Sequence, residues 1–384
     1  MVSKRPVPEA DAEYLAQLRR KIADRRVPYT GSLELTRLCS VRCLHCYCGD
    51  QDAVRRSRAK ELTTDQWLDV ISQIADAGCL ECLLTGGEPM LRSDFTTIYE
   101  KAKLSGMVVS IFTNATLVDD RVLDLFLDLP PFLVEVSLYG STAETHDSIT
   151  QVPGSFARAL RGVELLLDRG VRVTLKTVLM TLNKGEYQEM ERLAAGLGTG
   201  WRSDAALFPC LPNADSGGVP NRCSGGPGFG SHSLMDLRVP AAEAAELECA
   251  EPARVEALRA TYHKFEDVAP GDALYTCGAG LTGFHVDPYG SVQPCTMTPG
   301  YRESIPELGF AEAWEKIGRI RKIRAPQAFA CNRCRMRSVC SGCPAMFDLE
   351  NGDAAVKSDY ICSLARERCA RIGVPVDQRE SENG

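Results

Sequence analysis

Residues 36–47 read TRLCSVRCLHCY and set Cys39, Cys43 and Cys46 in a C-x3-C-x2-C spacing, directly after an apolar run, Ser32–Leu38. Three cysteines in so tight a loop cannot be a disulfide framework, because their number is odd and the reach is too short for two bridges. Soft thiolates select zinc, copper(I) or iron–sulfur clusters. A zinc site wants a fourth ligand nearby. His45 is available for that, although it lies between two of the cysteines. The alternative is a cubane held by three cysteines, with one iron left for a small molecule.

Outward from this loop, residues 32–207 alternate short apolar runs with helical patterns at βα spacing. The runs are Ser32–Leu38, Leu80–Thr85, Met107–Thr113, Leu133–Leu138, Val171–Leu179 and, more weakly, Ser203–Phe208. The helical patterns are Thr64–Ala77, Asp94–Leu104, Asp120–Asp128, Ser155–Asp168 and Lys184–Leu197. This order predicts an α/β fold whose parallel sheet has right-handed crossovers. Functional groups then gather at the carboxyl ends of the strands. The cysteine loop follows the first strand, and the second ends in TGGEP, Thr85–Pro89. Its two glycines allow close backbone approach to a ligand, and Glu88 can anchor an ammonium group. Taken alone, Gly-Gly-Glu-Pro is a turn, and more often a structural one.

Residues 1–31 form a lead-in whose amphipathic stretch, Ala10–Ala23, is expected to pack as a helix on the main domain. Residues 208–276 make a bridge: Pro, Gly, Ser and Asn dominate 209–240, and a helical segment, Ala241–Phe265, follows. In 277–365 cysteines are dense and hydrophobic periodicity fades, which suits a small domain held by metal. Residues 366–384 are a tail. Cys79 and Cys82 read as buried hydrophobes, Cys48 as an incidental thiol, and His146 as a local cap or packing group.

A chain of 384 residues with 44% hydrophobic and 25% charged content has the composition of a globular protein with a sizeable core. A net charge of -7 argues against nucleic acid as the main partner. No apolar run is long enough to span a membrane, and no secretory h-region opens the chain. Seventeen cysteines without a secretory signal point to a cytoplasmic protein in which dense cysteine means metal.

The cysteine loop resembles the signature of the radical S-adenosylmethionine (SAM) enzymes. The resemblance implies a partial (β/α)6 TIM-type barrel with a 4Fe–4S cluster on Cys39, Cys43 and Cys46, whose remaining iron SAM chelates. The family carries a similar GGE motif that binds the SAM amino group, which assigns Gly86, Gly87 and Glu88. Tyr47 resembles the aromatic near the adenine. Thr113, Asn114 and Ser137 look like the polar strand ends lining the SAM ribose and carboxylate, with Lys176 as a cationic partner for that carboxylate.

The C-terminal cysteines resemble the SPASM extension of the same family, a small Cys-rich iron–sulfur domain with two auxiliary clusters. Cys277, Gly290 and Cys295 precede Cys331, Cys334, Cys340 and Cys343 in C-x2-C-x5-C-x2-C, with Cys362 last. The family pattern spaces the last pair as C-x3-C, so this chain departs there. By the family connectivity, Cys277, Cys295 and Cys343 hold the first auxiliary cluster; Cys331, Cys334, Cys340 and Cys362 hold the second. The first is one ligand short, which Cys210, Cys223, Cys249, a non-cysteine group or an open iron would complete. A zinc ribbon is the competing reading.

Resemblance to SPASM-type enzymes implies a radical SAM oxidoreductase that modifies a ribosomally made peptide or protein. The short segment before the first strand leads us to expect a separate leader-binding protein, and the chemistry calls for a reductant such as flavodoxin or ferredoxin. The alternatives are oxidation of a small molecule, such as a tetrapyrrole side chain or a sugar, and a non-catalytic metal scaffold. No catalytic base is singled out by spacing.

Overall fold

The computed structural model describes residues 9–49, 51–207, 209, 211, 234–265 and 271–376. Most of the 209–240 stretch, including Cys210 and Cys223, lies outside them. In chain order the main elements are α1 (Glu9–Asp24), β1 (Thr30–Glu34), α2 (Gln51–Ser57), α3 (Thr64–Asp76), β2 (Glu81–Thr85), α4 (Phe95–Leu104), β3 (Val108–Thr113), α5 (Asp120–Asp128) and β4 (Leu133–Ser137). There follow α6 (Ala143–Thr150), α7 (Ser155–Asp168), β5 (Val173–Val178), α8 (Tyr187–Leu197), β6 (Gly200–Asp204), α9 (Ala241–Glu248) and α10 (Pro252–Phe265). The C-terminal part supplies β7 (Gly283–Val286), β8 (Ser291–Gln293), β9 (Glu303–Ser304), α11 (Ile305–Leu308), α12 (Phe310–Ile317), α13 (Pro344–Asn351) and α14 (Asp359–Ile372).

The strands form one sheet in the order β6-β5-β4-β3-β2-β1-β7-β8-β9. β1 to β7 run parallel, and β8 and β9 are antiparallel additions. This is the partial TIM-type barrel, extended past β1. The sheet therefore has nine strands rather than the six expected, because 283–304 adds three short ones. β7 aligns with β1, pairing Ser32 with His285 and Leu33 with Val286. Phe284 packs against Phe310 and Trp314 of α12, with ring centroids 5.0 and 6.0 Å away. Gly31 makes room for it, since a Cβ there would lie 2.6 Å from the Phe284 ring. Hydrophobic periodicity thus does not fade throughout 277–365: β7 and α12 join the main core.

Period-2 alternation decides the two faces of the sheet. Leu33, Leu84, Val109, Ile111, Val134, Val136 and Leu175 are buried under the helices. α3 shows why such helices form there: Thr63 and Gln66 make a reciprocal capping box, and Trp67, Val70, Ile71 and Ile74 fall on one buried stripe. The opposite face carries Ser32, Glu34, Phe112, Glu135, Lys176, Arg202 and His285.

Several expected boundaries shift. The first strand ends at Glu34, because residues 35–38 turn away to pack beneath the end of β2, where Leu35 N donates to Thr85 O at 2.9 Å. The sixth strand is Gly200–Asp204 rather than Ser203–Phe208; Phe208 is outside the described residues. Lys184–Glu186 form a 3-10 turn ahead of α8. The 241–265 helix is broken in two before Pro252. α1 does not pack along its length: Tyr14, Leu15 and Leu18 are 65%, 48% and 38% exposed. Its attachment lies just beyond its end, where Arg26 stacks on Trp314 at 4.4 Å. No helix among the described residues is long and apolar enough to cross a membrane.

A buried ion pair ties the bridge to the C-terminal helix. Arg368 on α14 donates to both oxygens of Glu248 on α9 at 2.7 and 2.8 Å, and to Val339 O and Ser341 Oγ. The Arg368 and Glu248 side chains are 8% and 2% exposed. Arg368→Ala strands that carboxylate, with only Arg254 nearby at 3.7 Å. A loss of about 3 kcal/mol is expected, read as a lower thermal midpoint, and the Arg368→Leu/Glu248→Leu pair should recover most of it.

Candidate functional site

The end of β2 is knotted to the cysteine loop by backbone alone. Gly87 N donates to Thr36 O at 2.7 Å, and Glu88 N to Leu38 O at 2.8 Å. A Cβ on Gly86 would meet Thr36 O at 2.5 Å; one on Gly87 would meet Arg37 O at 2.5 Å and Leu38 O still closer. These glycines permit close approach to the cysteine loop itself.

Glu88 is fully buried and accepts hydrogen bonds from Met90 N, the Thr113 hydroxyl and Asn114 N, between 2.8 and 3.1 Å. Burial pushes its carboxyl up to about 7, against these donors. The carboxylate thus ties β2 to β3. Asn114 continues the knot: its amide lies 3.5 Å from Cys39 Sγ and 3.0 Å from Ser40 Oγ, and Thr116 donates to its oxygen at 2.7 Å. Gln51 of α2 holds the loop from the other side, accepting from Cys39 N at 3.0 Å and donating to Arg37 O at 3.2 Å.

The structure brings together Cys39, Cys43, Cys46, Gly86, Gly87, Glu88, Thr113 and Asn114. Burial, then the neighbouring Cys39 and Cys46, raises the Cys43 thiol well above its usual value. Burial and the Glu88 charge raise Cys39 to about 12. Cys46 is lowered by a hydrogen bond with Cys48. Ser137 lies beside Lys176 in register and bonds the Tyr139 side chain, whose ring meets His45 edge-on at 4.5 Å. Burial takes His45 down to about 4. Lys176 is engaged by Glu135 at 3.9 Å and lies over the Phe112 ring at 3.0 Å; burial brings it down to about 7. Tyr47 sits on the β1 side, in the field of Cys48, Glu34 and Arg37.

Three soft, half-buried thiols on one loop, with an amide donor on one sulfur, suit an iron–sulfur cluster with an open iron. Iron would hold them as thiolates. Among the described residues no group of three or more His, Cys, Asp or Glu converges as ligands of a single ion.

Sequence reasoning missed an inward-facing network. Glu34 is fully buried, 3.5 Å from Arg37 Nε, 3.6 Å from His285 Nε2 and 3.5 Å from the Cys48 thiol that donates to it. His285 Nδ1 lies 3.3 Å from both Ser32 Oγ and Thr296 Oγ1. Glu135 pairs with Arg202 at 3.0 Å. A carboxylate inside the apolar run of a parallel strand, as in SLELT and LVEVS, was the available signal. Cys48 is no stray thiol, whereas Cys79 and Cys82 are buried as expected. His146 Nδ1 accepts from Tyr139 N at 3.1 Å, a local role.

In the C-terminal part Cys295 is raised to about 11 by burial, with Cys343 and Cys277 close enough to add to it. Cys343 likewise feels burial and then Cys277. Cys369 is raised to about 12 by burial, then by Cys334 and Cys340. Cys331 packs on the same apolar cluster as Cys295 and Cys343. Cys249 packs with Cys334 and Cys340 instead. Cys362 lies on α14.

Residues 33–195 match the radical SAM superfamily. The AdoMet-dependent heme synthase of Methanosarcina barkeri is 28% identical over 356 residues, covering 88% of this chain and 97% of that protein. The PqqA peptide cyclase of Rhizobium meliloti is 26% identical over 370 residues, 91% of each. The crystal structure of Streptococcus suis SuiB bound to precursor peptide SuiA superposes with a TM-score of 0.66 at 14% identity, over 94% of this chain and 82% of that one, a likeness of fold.

Proposed function

We propose, from the match of residues 33–195 to the radical SAM superfamily, that the chain cleaves SAM reductively and takes a hydrogen atom from a ribosomally made peptide or protein. The observation that carries this is the knot of the three-cysteine loop, Gly86–Glu88 and Asn114 at the carboxyl ends of neighbouring strands. When bound, a 4Fe–4S cluster on Cys39, Cys43 and Cys46 supplies the electron that splits SAM into methionine and a 5′-deoxyadenosyl radical. Gly86 and Gly87 set the depth of the loop, and Asn114 orients the Cys39 sulfur. Glu88 offers its carboxylate to the SAM ammonium; Thr113, Ser137 and Lys176 supply polar groups for the ribose and carboxylate, and Tyr47 an aromatic one for the adenine.

Two auxiliary clusters belong to the same reading, on Cys277, Cys295 and Cys343 and on Cys331, Cys334, Cys340 and Cys362. The mutual proximity of Cys277, Cys295 and Cys343 supports the first. Cys334→Ala is expected to spare 5′-deoxyadenosine formation yet stop substrate turnover; product formed at the wild-type rate would contradict an essential second auxiliary cluster. The partners in this reading are a leader-binding protein and a flavodoxin- or ferredoxin-type reductant, in the cytoplasm, where thiols stay reduced.

The peptide reading draws on the peptide cyclase, aligned over 91% of its length. A second reading draws on the heme synthase, aligned over 97% of its length, and on Lys176 and Arg202, inward cations of the kind a tetrapyrrole carboxylate requires. Incubation with candidate precursor peptides or with carboxylated porphyrins, SAM and dithionite separates the two. Loss of one or two hydrogens from a peptide supports the first, and turnover of the porphyrin alone supports the second.

A further inference from the structure

The helix that grips the cysteine loop shows solvent a charge opposite to that of the chain. Gln51, buried at the start of α2, bonds Cys39 N and Arg37 O. At the far end of the same segment Glu61 accepts from the Thr36 hydroxyl and Arg37 N at 2.9 and 3.0 Å. Between these two anchors, residues 51–60 carry Arg55, Arg56, Arg58 and Lys60 against a single anion, Asp52, in a chain of net charge -7. All four cations are exposed. Asp52 is shared by Arg55 at 3.0 Å and Arg42 at 3.5 Å. Arg56 and Arg58 have no ion-pair partner among the described residues. Four exposed cations within six residues gather like charge on one surface, which packing of the segment does not require.

The patch also borders a cavity that reaches the chain just ahead of Cys39. Beside Arg58 opens a cavity of about 290 Å³ whose inner wall includes Thr36 and Leu38, the latter next to Cys39; Glu61 and the paired Arg92 and Asp94 complete its polar lining. In the radical SAM reading SAM and substrate occupy the barrel interior. A protein delivering electrons during turnover needs a route that leaves the interior free.

We propose that the exposed face of α2 and the turn after it, Arg55, Arg56, Arg58 and Lys60, is the docking surface for a small acidic one-electron carrier protein that reduces the cluster on Cys39, Cys43 and Cys46. This rests on the radical SAM reading of that loop. The carrier gives up one electron there, with no bond made or broken. Complementary charge speeds such encounters and makes them salt-sensitive.

The test uses the reconstituted full-length protein and reduced flavodoxin. Two quantities are measured: the flavodoxin dissociation constant, and the ratio of flavodoxin-supported to dithionite-supported 5′-deoxyadenosine formation. Arg56→Glu/Arg58→Glu is expected to weaken binding and to lower the ratio, each about tenfold. Raised salt should weaken the wild-type complex and close the gap between the two proteins. A control reverses two exposed arginines elsewhere, Arg121→Glu/Arg192→Glu, and should bind as wild type does. The inference is overturned if the patch variant matches wild type, if the control weakens as much, or if a DNA duplex binds the patch as tightly as flavodoxin. Absence of nucleoside with dithionite in every protein would instead sink the radical SAM reading, while the binding constants still judge the surface.

Discussion

Cys43→Ala is expected to abolish 5′-deoxyadenosine formation from SAM and to lower the iron content by about four per chain, with iron bound elsewhere unaffected. Cys43 is the middle of the three thiols and lies half-buried beside the other two. Cys39 and Cys46 cannot hold a cubane by themselves. His45 does not replace the missing ligand, because its ring is committed to the buried contact with Tyr139. The lost thiol makes no packing contribution large enough to unfold the domain; the cost should stay near 1 kcal/mol. Iron and nucleoside are assayed on the same anaerobic sample. A variant that keeps its iron and still makes nucleoside would exclude this loop as the SAM-cleaving centre.

Gly87→Ala has the second largest expected effect, and it separates two roles for the glycine. The added methyl meets the carbonyl oxygens of Arg37 and Leu38, backbone atoms that cannot swing aside. Making room breaks the bonds from Gly87 N to Thr36 O and from Glu88 N to Leu38 O. Overpacking of about 1–3 kcal/mol and two lost backbone hydrogen bonds of about 1 kcal/mol each give about 3–5 kcal/mol, a large share of a domain's stability. The protein should melt earlier and load less iron even before SAM is added. Were the glycine there to admit a ligand, melting and iron would stay normal and only SAM binding would suffer. Gly196→Ala, in α8 with open space around it, is the control and should be neutral or slightly stabilising.

Much of this architecture was legible because it obeys local rules. α5 and α7 begin and end where the 3.6-residue period says, and β2 to β5 fall within two residues of their apolar runs. The first strand was placed too late for a physical reason: Leu35 and Leu38 stay buried after the strand has ended, since the loop is tucked beneath Gly86–Glu88. β6 is an edge strand with alternating exposure, so its apolar signal is weak and the following loop, Ala205–Leu207, carries the hydrophobes. β7 is only four residues long and belongs to the barrel sheet through pairing with a strand far back in the chain, which no local window reveals. Within the site, spacing named the cysteines and the Gly-Gly-Glu turn. It did not show that the glycines pack on the loop, that Tyr47 lies in the field of Cys48 and Glu34, or that Glu135 already holds Lys176. Those facts depend on which strands are neighbours, and the Glu34–His285 contact exists only because β1 and β7 lie side by side.

The most direct test is an iron and labile-sulfide count on anaerobically reconstituted wild-type protein, with 5′-deoxyadenosine measured after adding SAM and dithionite to the same sample. The account predicts about twelve irons, for three 4Fe–4S clusters, and nucleoside formed in step with methionine. Loaded clusters that yield no nucleoside would contradict it and leave the chain a metal-bearing scaffold.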